Sequence, residues 1–140
     1  MESIMKFLLG FNGSEEAKAA LALARTQAEI FQAKVYIVTS MGGGRSEKPE
    51  EIGKAARDLA FAELFLKEKG IACETFQLAR GMSPAEDVVS FAEEHEIDQI
   101  FIGVEKKSRT QKILLGSTAQ YIILKAPCPV LSVNRSFKLN

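Results

Sequence analysis

Short apolar runs alternate along this chain with longer stretches in which apolar residues recur every three or four positions. The first run, Met5-Lys6-Phe7-Leu8-Leu9-Gly10-Phe11, has the length and continuity of a buried strand. Asn12-Gly13 turns the chain. Ser14 then stands where it can cap a helix, with Glu15 and Glu16 in the first turn, where carboxylates meet the positive end of the helix dipole. Ala17, Ala20, Leu21, Ala24, Ala28 and Phe31 keep the period of one helix face. Lys34 to Thr39 is the second strand, and Ser40 to Ser46 is a polar, glycine-rich connection expected to be flexible. A long helix follows from Pro49 to Lys69, with Ile52, Ala55, Ala56, Leu59, Ala62 and Leu66 on its inner face and Gly70 as its stop.

The same alternation continues to the end. Ala72 to Leu78 is the third strand. Ser83-Pro84-Ala85-Glu86 is a capping box with proline at the first helical position, and Val88, Val89 and Ala92 form the apolar stripe behind it. Gln99 to Gly103 is the fourth strand, followed by a basic, polar loop. Ser117-Thr118-Ala119-Gln120 reads as a second capping box, opening a helix to about Lys125, and Pro129 to Val133 is the last strand. The polar tail from Asn134 is expected to be loosely held.

The resulting order is βαβαβαβαβ in one domain spanning residues 1–140. Strands separated by whole helices pair in parallel through right-handed crossovers, and their near-continuous apolar runs suit burial on both faces. The expected architecture is a doubly wound α/β sheet in the common order 3-2-1-4-5, with helices on both faces. In such sheets ligands bind beyond the C-terminal ends of the strands where the order reverses, here between strands 1 and 4. Asn12-Gly13-Ser14 leaves the first of these strands and Gly103 to Ser117 leaves the other.

Composition narrows the function classes. Eighteen basic and eighteen acidic residues give a formal net charge of zero, so nothing draws the whole molecule toward nucleic acid or an acidic membrane. The single histidine and two cysteines, Cys73 and Cys128, cannot assemble a Cys/His zinc set, and neither cysteine belongs to a CxxC. Both read as small buried residues in a reducing compartment. The first residues lack a signal-peptide pattern, and nowhere do 18 apolar residues run together, so the expected location is the cytoplasm. His95 lies among glutamates at a helix end and reads as a surface residue. No Ser-His-Asp set and no paired carboxylates emerge. The phenylalanines sit at core phases of strands and helices, Phe137 in the tail being the exception.

The segment from Gly103 to Ser117 has its own physical logic. Gly103 can leave the strand in a conformation that other residues resist, and Gly116-Ser117 opens a helix whose free N–H groups attract anions. Lys106, Lys107, Arg109 and Lys112 lie between them. Two readings fit: a phosphate site, or a solvated basic loop with an ordinary helix cap.

Three stretches carry a resemblance. Phe11-Asn12-Gly13-Ser14-Glu15, Gly81 to Ala85, and above all Gly103-x12-Gly116-Ser117 with Ala126-Pro127-Cys128-Pro129-Val130-Leu131 resemble the universal stress protein family over essentially the whole chain. The resemblance implies a Rossmann-like five-stranded sheet, a homodimer paired through the final strand Pro129 to Val133, and ATP or a related adenine nucleotide bound at Asn12, Gly13, Ser40, Gly103, Lys106, Gly116, Ser117 and Thr118. The chain departs from the ATP-binding pattern twice. Lys106 stands at the middle glycine of the family's glycine signature, and Asn12 stands where the nucleotide-binding members carry aspartate, which leaves the metal undetermined. Lys106 either blocks the phosphate site or supplies it with charge. The expected function is therefore a regulatory adenine-nucleotide binder that is not an enzyme. The alternatives are a dimeric interaction module without nucleotide and, third, a slow ATP hydrolase.

Overall fold

The computed structural model describes residues 3–41, 48–109 and 112–138. Its main sheet has five parallel strands in the order β3-β2-β1-β4-β7. They are β1 (Lys6–Gly10), β2 (Lys34–Ser40), β3 (Cys73–Leu78), β4 (Gln99–Gly103) and β7 (Val130–Val133). The helices between them are α1 (Glu15–Phe31), α2 (Pro49–Lys67), α3 (Pro84–Glu94) and α4 (Ser117–Lys125). This is the expected doubly wound order. The difference is that its fifth strand is the seventh in the chain, because the basic segment forms an antiparallel hairpin of its own. That hairpin pairs β5 (Lys106–Arg109) with β6 (Lys112–Leu115) from Lys106↔Leu115 to Arg109↔Lys112. Most of the glycine-rich connection after β2, residues 42–47, lies outside the described residues.

Strand alternation divides the core in two. Phe7, Leu9, Val35, Ile37 and Phe101 face α1 and α2, where Ala20, Leu21, Ala24, Leu59, Ala62 and Leu66 meet them. Leu8, Tyr36, Val38, Ile100 and Ile102 point the other way, against Val88, Phe91 and Ala92 of α3 and Ala119 and Ile122 of α4. The small residues of α1 let its axis lie close to the sheet, and four of them, Ala17, Ala20, Ala24 and Ala28, are buried with Leu21.

Local signals explain most element ends. Ser14 Oγ accepts the Ala17 N–H at 3.1 Å and starts α1. Ser83 and Glu86 form the expected capping box under Pro84. Gly70 takes a φ of +70°, and Ile71 N donates to Leu66 O to close the end of α2. The end of α1 has no glycine: Gln32 adopts the left-handed conformation there (φ 53°).

Several expectations need correction. The second capping box does not form. Gly116 is the N-cap of α4 and makes no side-chain cap bond; Ser117 is already inside the helix, and Gln120 Nε2 turns back to Leu115 O at 2.7 Å. Ile52 and Ala56 of α2 are exposed, because that helix covers β2 and the edge strand β3, where the sheet stops. Phe31 and Phe61 are about half exposed, at 53% and 48%. Phe137 does the opposite: it packs on the α1/α2 core, and Arg135 reaches Glu16 at 3.9 Å, so the tail is tied down as far as these residues.

Candidate functional site

Both central strands deliver their chains to the same edge. After β1 the chain crosses to α1 on one face, and after β4 it proceeds through the hairpin to α4 on the other. The crevice between them is a cavity of about 470 Å³. Asn12, Ser40, Gly103, Gly116, Ser117 and Thr118 line it, so the topology brings six of the eight expected residues together.

The other two lie apart from the lining. Gly13 shapes the turn: its φ is +79°, and a Cβ there would come within 2.6 Å of the Asp58 carboxylate. Lys106 is exposed on β5. It is not among the residues that line the cavity, although its neighbour Glu105 is.

Gly103 is required for a different reason from the one its sequence suggests. Its φ is not in the left-handed region. Instead the first turn of α1 presses on it: a Cβ would meet Glu16 C at 2.3 Å, Glu16 O at 2.4 Å and Ala17 N at 2.5 Å. Close approach of two backbones, rather than conformational freedom, keeps a glycine here.

The cavity has two chemically distinct ends. Val38, Pro84, Val88, Ile102 and Ile122 give one part an apolar wall. At the other, Gly116, Ser117 and Thr118 present the first turn of α4. Gly116 supplies no side-chain cap, so the amides of that turn remain available to an anion. Asn12 also lines the cavity. Its Oδ1 accepts the Ser14 N–H at 3.1 Å, which leaves the Nδ2 hydrogens to donate, and Lys54 Nζ donates to the Asn12 carbonyl at 3.0 Å.

Two lining groups were missed in the sequence: the carboxylates Glu16 and Glu105. Glu16 faces inward because α1 begins at Glu15 and Glu16 lies in its first turn, close on Gly103. The helix-start signal at Ser14 could have placed it, since it puts Glu16 in the first turn next to the crevice.

A buried, fully partnered polar group lies beside the end of β2. Asp87 of α3 is fully buried. Its Oδ1 accepts Arg80 Nε at 2.7 Å with Arg80 Nη2 at 2.6 Å, and its Oδ2 accepts the Ser40 hydroxyl at 2.7 Å. Arg80 Nη1 also donates to both oxygens of Glu94, at 2.9 and 3.1 Å. Burial works against the charge on Arg80, but these two carboxylates outweigh it and hold its pKa above the ordinary guanidinium value. Beside Ser40, the Thr39 hydroxyl donates to Phe11 O.

His95 is remote from this chemistry. It caps the C-terminus of α3, half-buried, with its ring stacked on Phe91 at 3.8 Å, and Lys6 at the start of β1 donates to its carbonyl. It is a packing residue at the opposite edge of the sheet rather than a surface one. A more open groove of about 590 Å³ runs between α2 and β3, past Leu59, Leu64, Lys67 and Thr75, on the outer flank of the sheet. Among the described residues, no group of three or more His, Cys, Asp or Glu side chains is placed to hold a metal ion, and no helix is long and apolar enough to cross a membrane.

Comparison with known proteins agrees with this geometry. Residues 3–134 match the Universal stress protein family. Universal stress protein MJ0531 of Methanocaldococcus jannaschii is 33% identical over 131 residues, covering 89% of this chain and 76% of its own. A universal stress protein structure from Archaeoglobus fulgidus superposes with a TM-score of 0.84 at 33% identity, covering 94% of this chain and 99% of the other. A second structure from that organism, a universal stress protein in complex with dAMP, superposes with a TM-score of 0.78 at 31% identity, covering 95% and 99%.

Proposed function

The chain belongs to the universal stress protein family, and from that premise we propose that it binds an adenine nucleotide, ATP or a relative of it, in the cavity between β1 and β4. The observation that carries the reading is the cavity's two-ended chemistry. An apolar wall from Val38, Pro84, Val88, Ile102 and Ile122 suits a planar base, and the uncapped first turn of α4 at Gly116 to Thr118 suits a phosphate. The A. fulgidus relative in complex with dAMP supports the same ligand class. Asn12 contributes amide hydrogens where a carboxylate would have favoured a metal ion, so phosphate contact here runs through neutral donors.

Binding serves regulation rather than turnover in this reading. Its support is the make-up of the lining: among the described residues, those that line the cavity include no histidine and no lysine or arginine to act on a transferring phosphoryl group. The test is mass spectrometry of ligand carried through purification, followed by thermal-shift titration with adenine nucleotides. A protein that carries nothing and shows no shift with millimolar ATP or AMP refutes nucleotide binding. A second reading has a specific observation behind it. Glu16 and Glu105 line the cavity and oppose a polyphosphate, which favours an interaction module that works without nucleotide. The same titration decides between them.

We also propose a homodimer through Pro129 to Val133. β7 is an edge of the main sheet, and Val130 and Leu131 are only half-buried there; an apolar edge of this kind needs a cover. A second copy of the strand supplies one. Light scattering at micromolar concentration tests this, and a monomer contradicts it.

A further inference from the structure

The formal charge of zero hides an uneven distribution. Residues 106–140 hold seven lysines and arginines and no aspartate or glutamate; residues 1–105 hold the other eleven basic residues and all eighteen acidic ones. A charge split of this kind along one chain suits a surface that meets a polyanion. The cations are densest in the hairpin sequence, with Lys106, Lys107, Arg109 and Lys112 within seven residues. Among the described residues, Lys34, Lys54 and Lys67 elsewhere in the molecule each reach a carboxylate at 2.6–2.7 Å, whereas Lys106, Lys112 and Lys125 reach none.

Beside these cations the hairpin shows aliphatic side chains to water. Ile113, Leu114 and Leu115 are all exposed, Ile113 at 75%. β5 and β6 pack chiefly on each other, and β6 is exposed at all four positions, so the body covers neither of its faces. Cross-strand partners share a face, and so do residues two apart on one strand. The Lys106↔Leu115 pair therefore places Lys106, Ile113 and Leu115 on the same face. α4 continues the pattern after the hairpin, with Leu124 at 78% exposure next to the exposed Lys125. A two-stranded ribbon is marginal alone in water, and an aliphatic face on it needs a cover.

We propose that this face rests on an anionic phospholipid surface. Lys106 and Lys112 meet the headgroups, and Ile113 and Leu115 enter the boundary between headgroups and acyl chains. Lysine suits that rim, since its stem lies along apolar surface while the ammonium stays among phosphates. Each alternative cover leaves one part unused. A nucleic acid takes the cations, but its phosphate backbone offers nothing to three consecutive aliphatic residues. A second hairpin covers the aliphatic residues, but sets lysines against lysines. A surface with negative charge outside and hydrocarbon beneath serves both. The chain sits on the bilayer in this scheme and does not cross it, in keeping with the absence of a spanning helix among the described residues.

The test is co-sedimentation of the full chain with phosphatidylcholine vesicles, with and without about 30 mol % phosphatidylglycerol. Wild-type protein is expected to bind the anionic vesicles about tenfold or more tightly than the neutral ones, and to lose that advantage as salt rises. Lys106→Gln with Lys112→Gln should weaken binding by roughly tenfold or more, since each lysine near such a surface counts for about fivefold. Ile113→Ser with Leu115→Ser should weaken it by a similar factor. All four side chains are exposed, so both variants should fold, which melting checks. The chain has no tryptophan, so Ile113→Trp carries the sole indole, and its emission should shift to the blue on the anionic vesicles. Failure of the wild type to bind anionic vesicles at low salt overturns the inference. So does an unshifted Ile113→Trp emission while the protein sediments with them, or binding that survives either double variant. Tighter binding to a duplex oligonucleotide than to the vesicles, unaffected by the serine variant, assigns the cations to nucleic acid and overturns it. A dimer that the serine variant converts to a monomer in light scattering assigns the cover to a second copy, with the same consequence. Should the serine variant not fold, the lysine variant and Ile113→Trp decide.

Discussion

Replacing Gly103 by alanine adds one methyl group, and the structure specifies what it strikes. The new Cβ would lie 2.3–2.5 Å from the Glu16 carbonyl group and Ala17 N, whereas ordinary contact begins at 3.4 Å. These are backbone atoms held in the first turn of α1, so no rotamer relieves the overlap. The turn must retreat by about 1 Å, the difference between those distances. A gap of that width forfeits a quarter to a half of each dispersion contact across it, and α1 packs along β4 and β1. Overpacking of this kind costs roughly 1–3 kcal/mol, and a rigid backbone neighbour puts Gly103→Ala at the upper end, about 3 kcal/mol. At roughly 3 °C per kcal/mol for a chain of this size the melting temperature should fall by about 9 °C. Gly10→Ala is the internal control. It also sits at the end of a central strand and lines the cavity, but its Cβ would meet only Val88 Cγ2, at 3.8 Å, and should shift melting by less than about 2 °C. Calorimetry of the two variants decides the matter. Equal melting temperatures would show that close approach is not what holds Gly103.

Three more outcomes follow from the same geometry. Lys106→Ala and Lys106→Gly should each change AMP affinity by less than about twofold at physiological salt, because the side chain is exposed and outside the cavity lining; a tenfold change in either direction, by calorimetric titration, restores Lys106 to the site. Ser83→Ala removes the hydroxyl half of the capping box at the start of α3, while the backbone N–H of residue 83 can still donate to Glu86, and should cost about 1 kcal/mol in urea unfolding, with no loss meaning that Pro84 and the remaining half suffice to start the helix. Burial pushes the Cys73 and Cys128 thiols up, so both should react with a disulfide reagent at pH 8 several-fold more slowly in the native protein than in denaturant. The sign for stability follows from the same shift: the native thiols keep their protons where the unfolded ones ionise, so stability is unaffected well below the ordinary thiol pKa of ~8.5 and declines as pH rises past it, and Cys128→Ala should flatten that decline.

How far the sequence reveals this molecule depends on the range of each interaction. Strand order, helix starts at Ser14 and Ser83, and the gathering of Asn12, Ser40, Gly103, Gly116, Ser117 and Thr118 at one edge were legible, because alternation, capping and crossover handedness act locally or follow from topology. What failed depended on neighbours distant in sequence. The reason for Gly103 lies 87 residues away in Glu16, a separation read directly from their numbers. Asp87 stands in a helix's first turn, an ordinary place for an acid, and only Ser40 and Arg80 around it reveal a buried charge. The basic segment offered four cations and no alternation strong enough to announce a strand, so its hairpin became visible only in the pairing of Lys106 with Leu115. At the start of α4, Ser117 and Gln120 satisfied a capping pattern that Gly116 pre-empted by one position.

That hairpin makes the distance between Gly103 and Gly116 independent of what lies beyond it. Its outgoing and returning strands run side by side, and the Lys106↔Leu115 pair sits at its base. Residue pairs could be inserted past Arg109↔Lys112, or deleted, without moving either glycine or the walls of the crevice. The site is thus buffered against length variation in the segment that joins β4 to α4.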